Sequence, residues 1–587
     1  MAKSRITPEK YSGTTQVEHF GKLLNELSKL GTVISTSFGP LGRLKFLQTS
    51  QGGHVTVTSS SKRILNQLPS GHPVMHIIIS AVREHLARFD DGGLFLIQLT
   101  INLITSASRL SIPNHSIIAC YEFILKCCID FFQSDTCPCR INVDISSIKT
   151  MLAFMKSILC TKPTCTLNDS EISHLSLLLI KGFVSAIPSP TSQEQFSLQE
   201  CIQFIHCYGE SASESKLLDG ILIDNSFTLR NDRDSYTNKF QFLRLPDNTI
   251  RVILFNISLA GDPEDSLPEN ITLIATKDDR SLKLSSIAME RFRRLIEILK
   301  ANHVGFVGCQ KCVHPTFKLA LETNGIFVCD RLSILNIGKV KKITGATVLS
   351  TSFTEIKDHH FGAISDANYI HINNKCFLNL IPSKYNGRNI STIAIISKDE
   401  TSCDEIKLVL AAAINSLQQI VTNAVALCGS GCTELTLVRY LQQNRESLFN
   451  SAKSQVQLTK SKFFTILDSF QLSLIKIVSS LNQNEKEILT EVQHGHHWIK
   501  LSRSISDRCR CGMKNRNEIK SPTFYSPKFD EAIPVKSEVD IVSTSYYRSN
   551  ENIVLDSFAM KINAYHVAIS VANIALRIIN TVSDAQT

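Results

Sequence analysis

Apolar positions in the first 130 residues recur at helical spacing. Val17, Phe20, Leu24, Leu27, Leu30 and Ile34 fall at i, i+3, i+4 and i+7 intervals, which puts them on one buried helix face. Gly39 and Pro40 end that pattern. Residues 54–58 alternate and predict a strand. Apolar helices follow at 74–86 and 94–110, and the pattern stays helical, with interruptions, from about 145 to 187.

The middle of the chain changes period. Short β-branched runs at 221–223, 250–257 and 304–307 predict strands. A charged amphipathic helix precedes the last of these, with Met289, Phe292, Leu295, Ile296 and Leu299 on one face and a Glu290/Arg294 pair at i, i+4. Helices near 315–323 and 332–343 then alternate with strands at 326–328 and 347–349. Alternation of this kind predicts an α/β domain with parallel strands. The last third returns to long helices, the final one carrying Ile562, Tyr565, Ile569, Ala572, Leu576 and Ile579 on one face. Helical ends around an α/β middle suggest that the two ends fold together.

Residues 500–550 break the pattern: they are rich in Ser, Lys and Arg and lack apolar periodicity. They read as a solvated, partly disordered insertion.

Composition narrows the class. The chain has 587 residues, a prior of about four domains. At 43% hydrophobic and 20% charged it excludes collagen-like and mainly disordered readings. A net charge of +9 is mild for this length and far from a nucleic-acid polycation. The longest apolar stretches, 94–104 and 176–187, are too short or too interrupted to cross a bilayer, and residues 1–11 lack a signal-peptide apolar core. The 18 cysteines are therefore expected as reduced thiols, many of them packed as small hydrophobes.

Several strings carry candidate chemistry in one order. They are Phe38-Gly39-Pro40-Leu41-Gly42 with Lys45, Val55-Thr56-Val57-Thr58, His72-Pro73, Leu218-Asp219-Gly220-Ile221, Cys309-Gln310-Lys311, Thr344-Gly345-Ala346 and Gly429-Ser430-Gly431-Cys432-Thr433-Glu434. Together they resemble the group II (TCP-1/CCT-like) chaperonins, and the Cys137-Pro138-Cys139 stretch with Lys162-Pro163 points to the chaperonin-like branch linked to Bardet–Biedl syndrome. The resemblance implies an α+β multidomain chaperonin fold. A mainly helical equatorial domain would span 1–145 and 400–587, a small intermediate domain 146–212 and 350–399, and an α/β apical domain 213–349.

It also implies a nucleotide site, with Gly39, Pro40, Gly42, Asp91, Gly92, Gly429 and Gly431 as binding residues. Chaperonins hold magnesium and orient the attacking water with three aspartates. Here Ser59-Ser60-Ser61 stands where the first belongs, Asp90-Asp91-Gly92-Gly93-Leu94 keeps the second as Asp91, and Ala412 stands at the third. Serine brings no charge to a divalent cation and alanine brings no ligand. Hydrolysis of ATP is expected to be weak or absent, with ATP, and magnesium accompanying it, still able to bind. The alternative is an ATP-dependent folding chaperone in which other residues replace the missing acids.

The partners so implied are sister Bardet–Biedl chaperonin-like proteins, cytosolic chaperonin subunits and, as clients, subunits of the BBSome, the coat complex of ciliary transport. No nucleic acid and no membrane are expected. The places implied are cytosol, centrosome and ciliary basal body, with the nucleus as a further location, in a monomer or hetero-oligomer.

Other groups are weighed against plainer explanations. Cys309/Cys312, Cys137/Cys139 and Cys509/Cys511 lack a second pair fixed in sequence, so no metal is expected. His494, His496 and His497 beside Trp498 read as a surface turn. The basic runs at 291–294 and 503–516 are broken by acids and read as solvated surface. The stripe from Phe292 to Leu299 is equally compatible with core packing and with partner binding.

Overall fold

The computed structural model describes residues 15–39, 42–48, 55–67, 72–160, 167–187, 198–224, 242–260, 280–350, 356–373, 375–383, 390–481, 488–491, 496–499, 508–515, 524–525, 532–533, 553–578 and 580–584. The chain divides into two compact units: residues 1–176 with 404–587, and residues 177–403.

The first unit joins both chain ends around helices. Gly93–Ala107 is its central helix, buried on nearly every side, which is why its sequence is apolar all round. Lys460–Leu481 and Phe558–Arg577 pack on it, as do Phe20–Ser35 and Pro73–Phe89. Phe470 stacks edge-on to Tyr121, and Tyr565 edge-on to Phe95. Longer than the runs at 94–104 and 176–187, Lys460–Leu481 would by length and composition suit a membrane span. Phe463, Ile466, Leu467, Phe470, Leu474 and Ile477 bury one face of it in this core, as in the core helix of a packed unit. A small antiparallel sheet, Arg140–Asn142, Val425–Cys428 and Leu555–Ser557, ties three distant segments together.

The second unit holds two sheets. Val304–Cys309, Phe327–Cys329, Ile250–Phe255 and Val348–Leu349 pair in parallel, as the alternation predicts. Gly362–Ile372 and Lys375–Pro382 extend this sheet antiparallel to reach Ile221–Asp224. The parallel expectation therefore holds for only part of the sheet. Ile202–Tyr208, Ser391–Ser397 and Lys216–Asp219 form a separate three-stranded sheet. Phe292, Leu295 and Leu299 are buried, with Phe292 stacked on Phe317 at 4.4 Å, so the stripe is core; Met289 at its edge is 46% exposed.

Long-range contacts place three segments. Gly362–Ile372 and Lys375–Pro382 belong to the large sheet, where they pair with each other and with Ile250–Val252 and Ile221–Asp224. Residues 216–219 join the small sheet instead of the large one. Residues 146–176 fall in the first unit, where Ser157 Oγ donates to the carbonyl of Leu555 at 3.0 Å.

The insertion is also not wholly solvated. Cys509 and Cys511 are 3% and 0% exposed, and His496, His497 and Trp498 are 4%, 0% and 0% exposed. The histidines are thus no surface turn; His494 lies outside the described residues. Polar composition hid the burial because the buried positions are few and carry no period.

Candidate functional site

The candidate site is built from glycine loops in the first unit, one after a helix end and two at helix starts. The helix Phe20–Ser35 ends before Gly39, whose φ of +90° suits glycine. The loop then doubles back: Gly42 N–H donates to the Gly39 carbonyl at 3.0 Å and Arg43 N–H to the Thr36 carbonyl at 2.7 Å. A Cβ at Gly42 would sit 2.4 Å from the carbonyl oxygen of Ser37, so only glycine closes this turn. Lys45 folds back to donate to Thr36 Oγ1, and burial together with Arg43 lowers its ammonium pKa. Pro40 lies outside the described residues.

His72 caps the next helix, its Nδ1 accepting from Val74 N–H at 3.2 Å ahead of Pro73. That helix ends at Asp90, in the left-handed region at φ 54°, and Gly92 at φ 79° starts Gly93–Ala107. Asp91 is held in this tight connection by its backbone, the carbonyl meeting His85 Nε2 at 3.1 Å. Burial is the main cause of the lowered His85 pKa. Asp90 faces away to Lys62 at 2.9 Å and to Asn415 at 3.4 Å.

The third loop, Gly429-Ser430-Gly431, joins the strand Val425–Cys428 to the helix Cys432–Gln443, with Ser430 and Gly431 at φ 58° and 86°. A glycine turn opening a helix N-terminus is a generic cradle for phosphate.

The structure brings these loops together through shared neighbours. Gly39 and Gly431 both press on Leu481. Gly429 lies against Val554 and Asp556, and Gly92 against Met560. The glycines are thus required by packing within the chain, whether or not phosphate binds.

The acids tell the chemical story. Ser60 N–H donates to Thr58 Oγ1 at 2.9 Å, and Thr58 Oγ1 donates to Glu405 Oε1 at 2.6 Å. Glu405, 2% exposed, is also paired with Arg63 at 3.2 Å, and the same guanidinium takes Asp404 at 3.2 Å. Neither acid stands in for Ser60 or for Ala412, which is itself 3% exposed. Asp91 and the loop amides of 429–431 are the groups that would hold a nucleotide and its magnesium, whereas Ser60 and Ala412 offer no carboxylate.

A buried charge triad behind the loops was missed in sequence. Lys561 Nζ meets Glu434 Oε1 at 2.7 Å and Asp556 Oδ2 at 3.0 Å, and lies 3.9 Å from the Phe95 ring centroid. Burial pulls the lysine pKa down, but Asp556 and Glu434 outweigh it and hold the ammonium well above its ordinary value. Burial, helped by Glu434 and Asp91, pushes the Asp556 carboxyl up against the pull of Lys561. A lone Lys inside the apolar run of the last helix was the available signal.

Sequence comparison decides the family, since one family model, the TCP-1/cpn60 chaperonins, matches residues 30–586. The chain belongs to the TCP-1/cpn60 chaperonin family. The chain is similar to the molecular chaperone MKKS of Mus musculus, 30% identical over 578 residues and covering 96% of each chain. The Homo sapiens protein of that name is 28% identical over 570 residues, 95% of each chain. The thermosome subunit alpha of Archaeoglobus fulgidus is 20% identical over 479 residues, covering 81% of this chain and 82% of its own. Membership in this chaperonin family accounts for the loop order, and the mixed helices and sheets agree with it.

Proposed function

We propose that the chain is a chaperonin-like assembly factor that binds unfolded or partner proteins and hydrolyses ATP weakly or not at all. The observation that carries this reading is the pairing of tightly packed glycine loops with Ser60 and Ala412 where the family resemblance expects two acids, the neighbouring Asp404 and Glu405 both being engaged by Arg63. Losing one positioned base typically costs about 10²–10⁴ in rate. In this reading the unit made from the chain ends is equatorial, the large sheet apical and the small sheet intermediate. Its partners are sister chaperonin-like proteins and the cytosolic chaperonin, its clients BBSome subunits, and its places of work the cytosol, centrosome and basal body. Similarity to chaperones named MKKS supports the class of activity.

The test is phosphate release by the purified full chain beside an active thermosome, with nucleotide affinity measured by titration. Turnover at least a hundredfold below the thermosome is expected, and comparable turnover sinks the reading. The second reading, an ATP-driven folding chaperone, is favoured by retention of Asp91. It predicts that Asp91→Ala abolishes ATP-dependent refolding of a denatured client, and is lost if no such refolding exists.

A further inference from the structure

A second cluster of chemically active side chains lies beside the loop 429–431 and has no part in the reading above. Cys432 Sγ, a ring nitrogen of His496 and Cys511 Sγ lie within 4.8 Å of one another, and all three residues are buried. Cys511 Sγ is 3.3 Å from His496 Nδ1 and 3.3 Å from Cys509 Sγ. Cys509 also interacts with both Cys432 and His496. These four groups come from three separate segments, so no local rule forces them together.

We propose that Cys432, His496, Cys509 and Cys511 form a closed structural zinc site that pins residues 496–499 and 508–515 to the helix that starts at Cys432. Tetrahedral zinc has Zn–S near 2.3 Å and Zn–N near 2.0–2.1 Å, which sets ligand-to-ligand edges of roughly 3.4–3.8 Å. The measured edges approach that range. Thiols buried only as hydrophobes would face apolar atoms; these face one another and an imidazole, inside the buried core of the first unit. Three thiolates and one imidazole with no open side suit zinc, and the set is too rich in sulfur for magnesium or calcium.

The surroundings support ligation. Residues 508–515 form a tight turn in which Lys514 N–H donates to Cys509 Sγ at 3.2 Å and Gly512 N–H to the Cys509 carbonyl at 2.9 Å. An amide aimed at sulfur stabilises a thiolate and orients it. Arg510 N–H donates to the His497 carbonyl at 2.9 Å, so the two halves of the site are fastened to each other. Cys432 opens its helix, where the positive dipole end favours a thiolate. Cys428 also interacts with Cys511, and Cys432 Sγ lies 3.5 Å from His497 Nδ1.

Placement suggests what the metal does. Val554 N–H donates to the Cys511 carbonyl at 3.0 Å, and Gly429 N–H donates to the Val554 carbonyl at 2.8 Å. Zinc at this point holds Cys432 directly after Gly431 and fixes the 429–431 loop from behind. The site is a staple between the polar segment and the loop.

Elemental mass spectrometry of the purified full chain should find about one zinc per chain. Cys509→Ser/Cys511→Ser should lose it, and Cys309→Ser/Cys312→Ser, in the other unit, should keep it. Because the first variant can fail to fold, the unaltered protein carries the decisive measurements. Cobalt exchanged for zinc should give a thiolate-to-cobalt charge-transfer band. A strong zinc chelator should change Trp498 fluorescence and open 496–515 to protease. Folded protein without zinc, zinc retained by Cys509→Ser/Cys511→Ser, or a Cys509–Cys511 disulfide in freshly reduced protein overturns the site. Zinc removal with no change in fluorescence or cleavage overturns the staple.

Discussion

Replacing Lys561 by methionine removes one charge and keeps most of the stem that packs on Phe95. The lysine side chain is 7% exposed, Glu434 is 1% exposed and Asp556 is 23% exposed, with ion-pair distances of 2.7 and 3.0 Å. A well-buried pair broken from one side typically costs about 3–5 kcal/mol, because the remaining charge keeps its desolvation penalty and loses its compensation. Here two carboxylates lose the same partner, and Tyr565 OH at 3.4 Å supplies only one weak donor to Glu434. Three kcal/mol is over a hundredfold in the folding equilibrium, and at a urea slope of about 1–3 kcal/mol/M it moves the midpoint by 1 M or more.

The molecule carries its own reporter. Trp498 is the single tryptophan of the chain and is fully buried in the unit that holds the triad, so its fluorescence follows the unfolding of that unit. The Asp556 carboxyl is already raised in the folded state by burial, Glu434 and Asp91, and Lys561 opposes that rise. A group raised on folding contributes stability at low pH and loses it as pH climbs from the unfolded value, near 3.9, through the folded one. Without Lys561 the rise is larger, so the deficit of Lys561→Met should be greatest near neutrality and shrink toward pH 4. Glu434→Gln on top of Lys561→Met should restore part of the loss. A deficit below 1 kcal/mol at pH 7, or one that does not vary with pH, refutes the reasoning.

Other outcomes follow from the same structure. Gly42→Ala forces a carbon to 2.4 Å from the Ser37 carbonyl and should cost roughly 1–3 kcal/mol with loss of nucleotide binding, checked by urea unfolding and titration. Asp91→Asn should weaken magnesium-nucleotide binding by about tenfold and leave binding without magnesium nearly unchanged, measured by calorimetry with and without chelator. Phe470→Ala removes a fully buried ring packed edge-on against Tyr121 and should destabilise its unit by about 3–5 kcal/mol in the Trp498 assay. Arg63→Met leaves the buried Glu405 without its cation and should lower stability more at pH 7 than Lys62→Met, whose partner Asp90 is more exposed, as unfolding curves would show.

Local pattern carried much of the architecture. The period of 3.6 in 20–34 and 562–577 and the β-branched runs in the middle predict elements that the structure contains, because spacing and composition mark each of them locally; Val17, expected on the first helix, lies instead in the strand Thr15–His19, and Ile579 lies outside the described residues. Residues 362–382 escaped because they pair with strands over a hundred residues earlier, and nothing local marks that ladder. The glycine loops were legible for the opposite reason: turns that end or open a helix are local geometry.

What the order of residues determined alone is most of the long helices, the β-branched strands of the middle and where the glycine loops fall. Tertiary structure decided the rest. Lys561, Glu434 and Asp556 became a triad, and Cys432, His496, Cys509 and Cys511 one cluster, only when packing joined segments far apart in the chain. Charge and ligand clusters depend on distances through space, and a chain that returns to its own beginning sets those distances by its core rather than by its spacing.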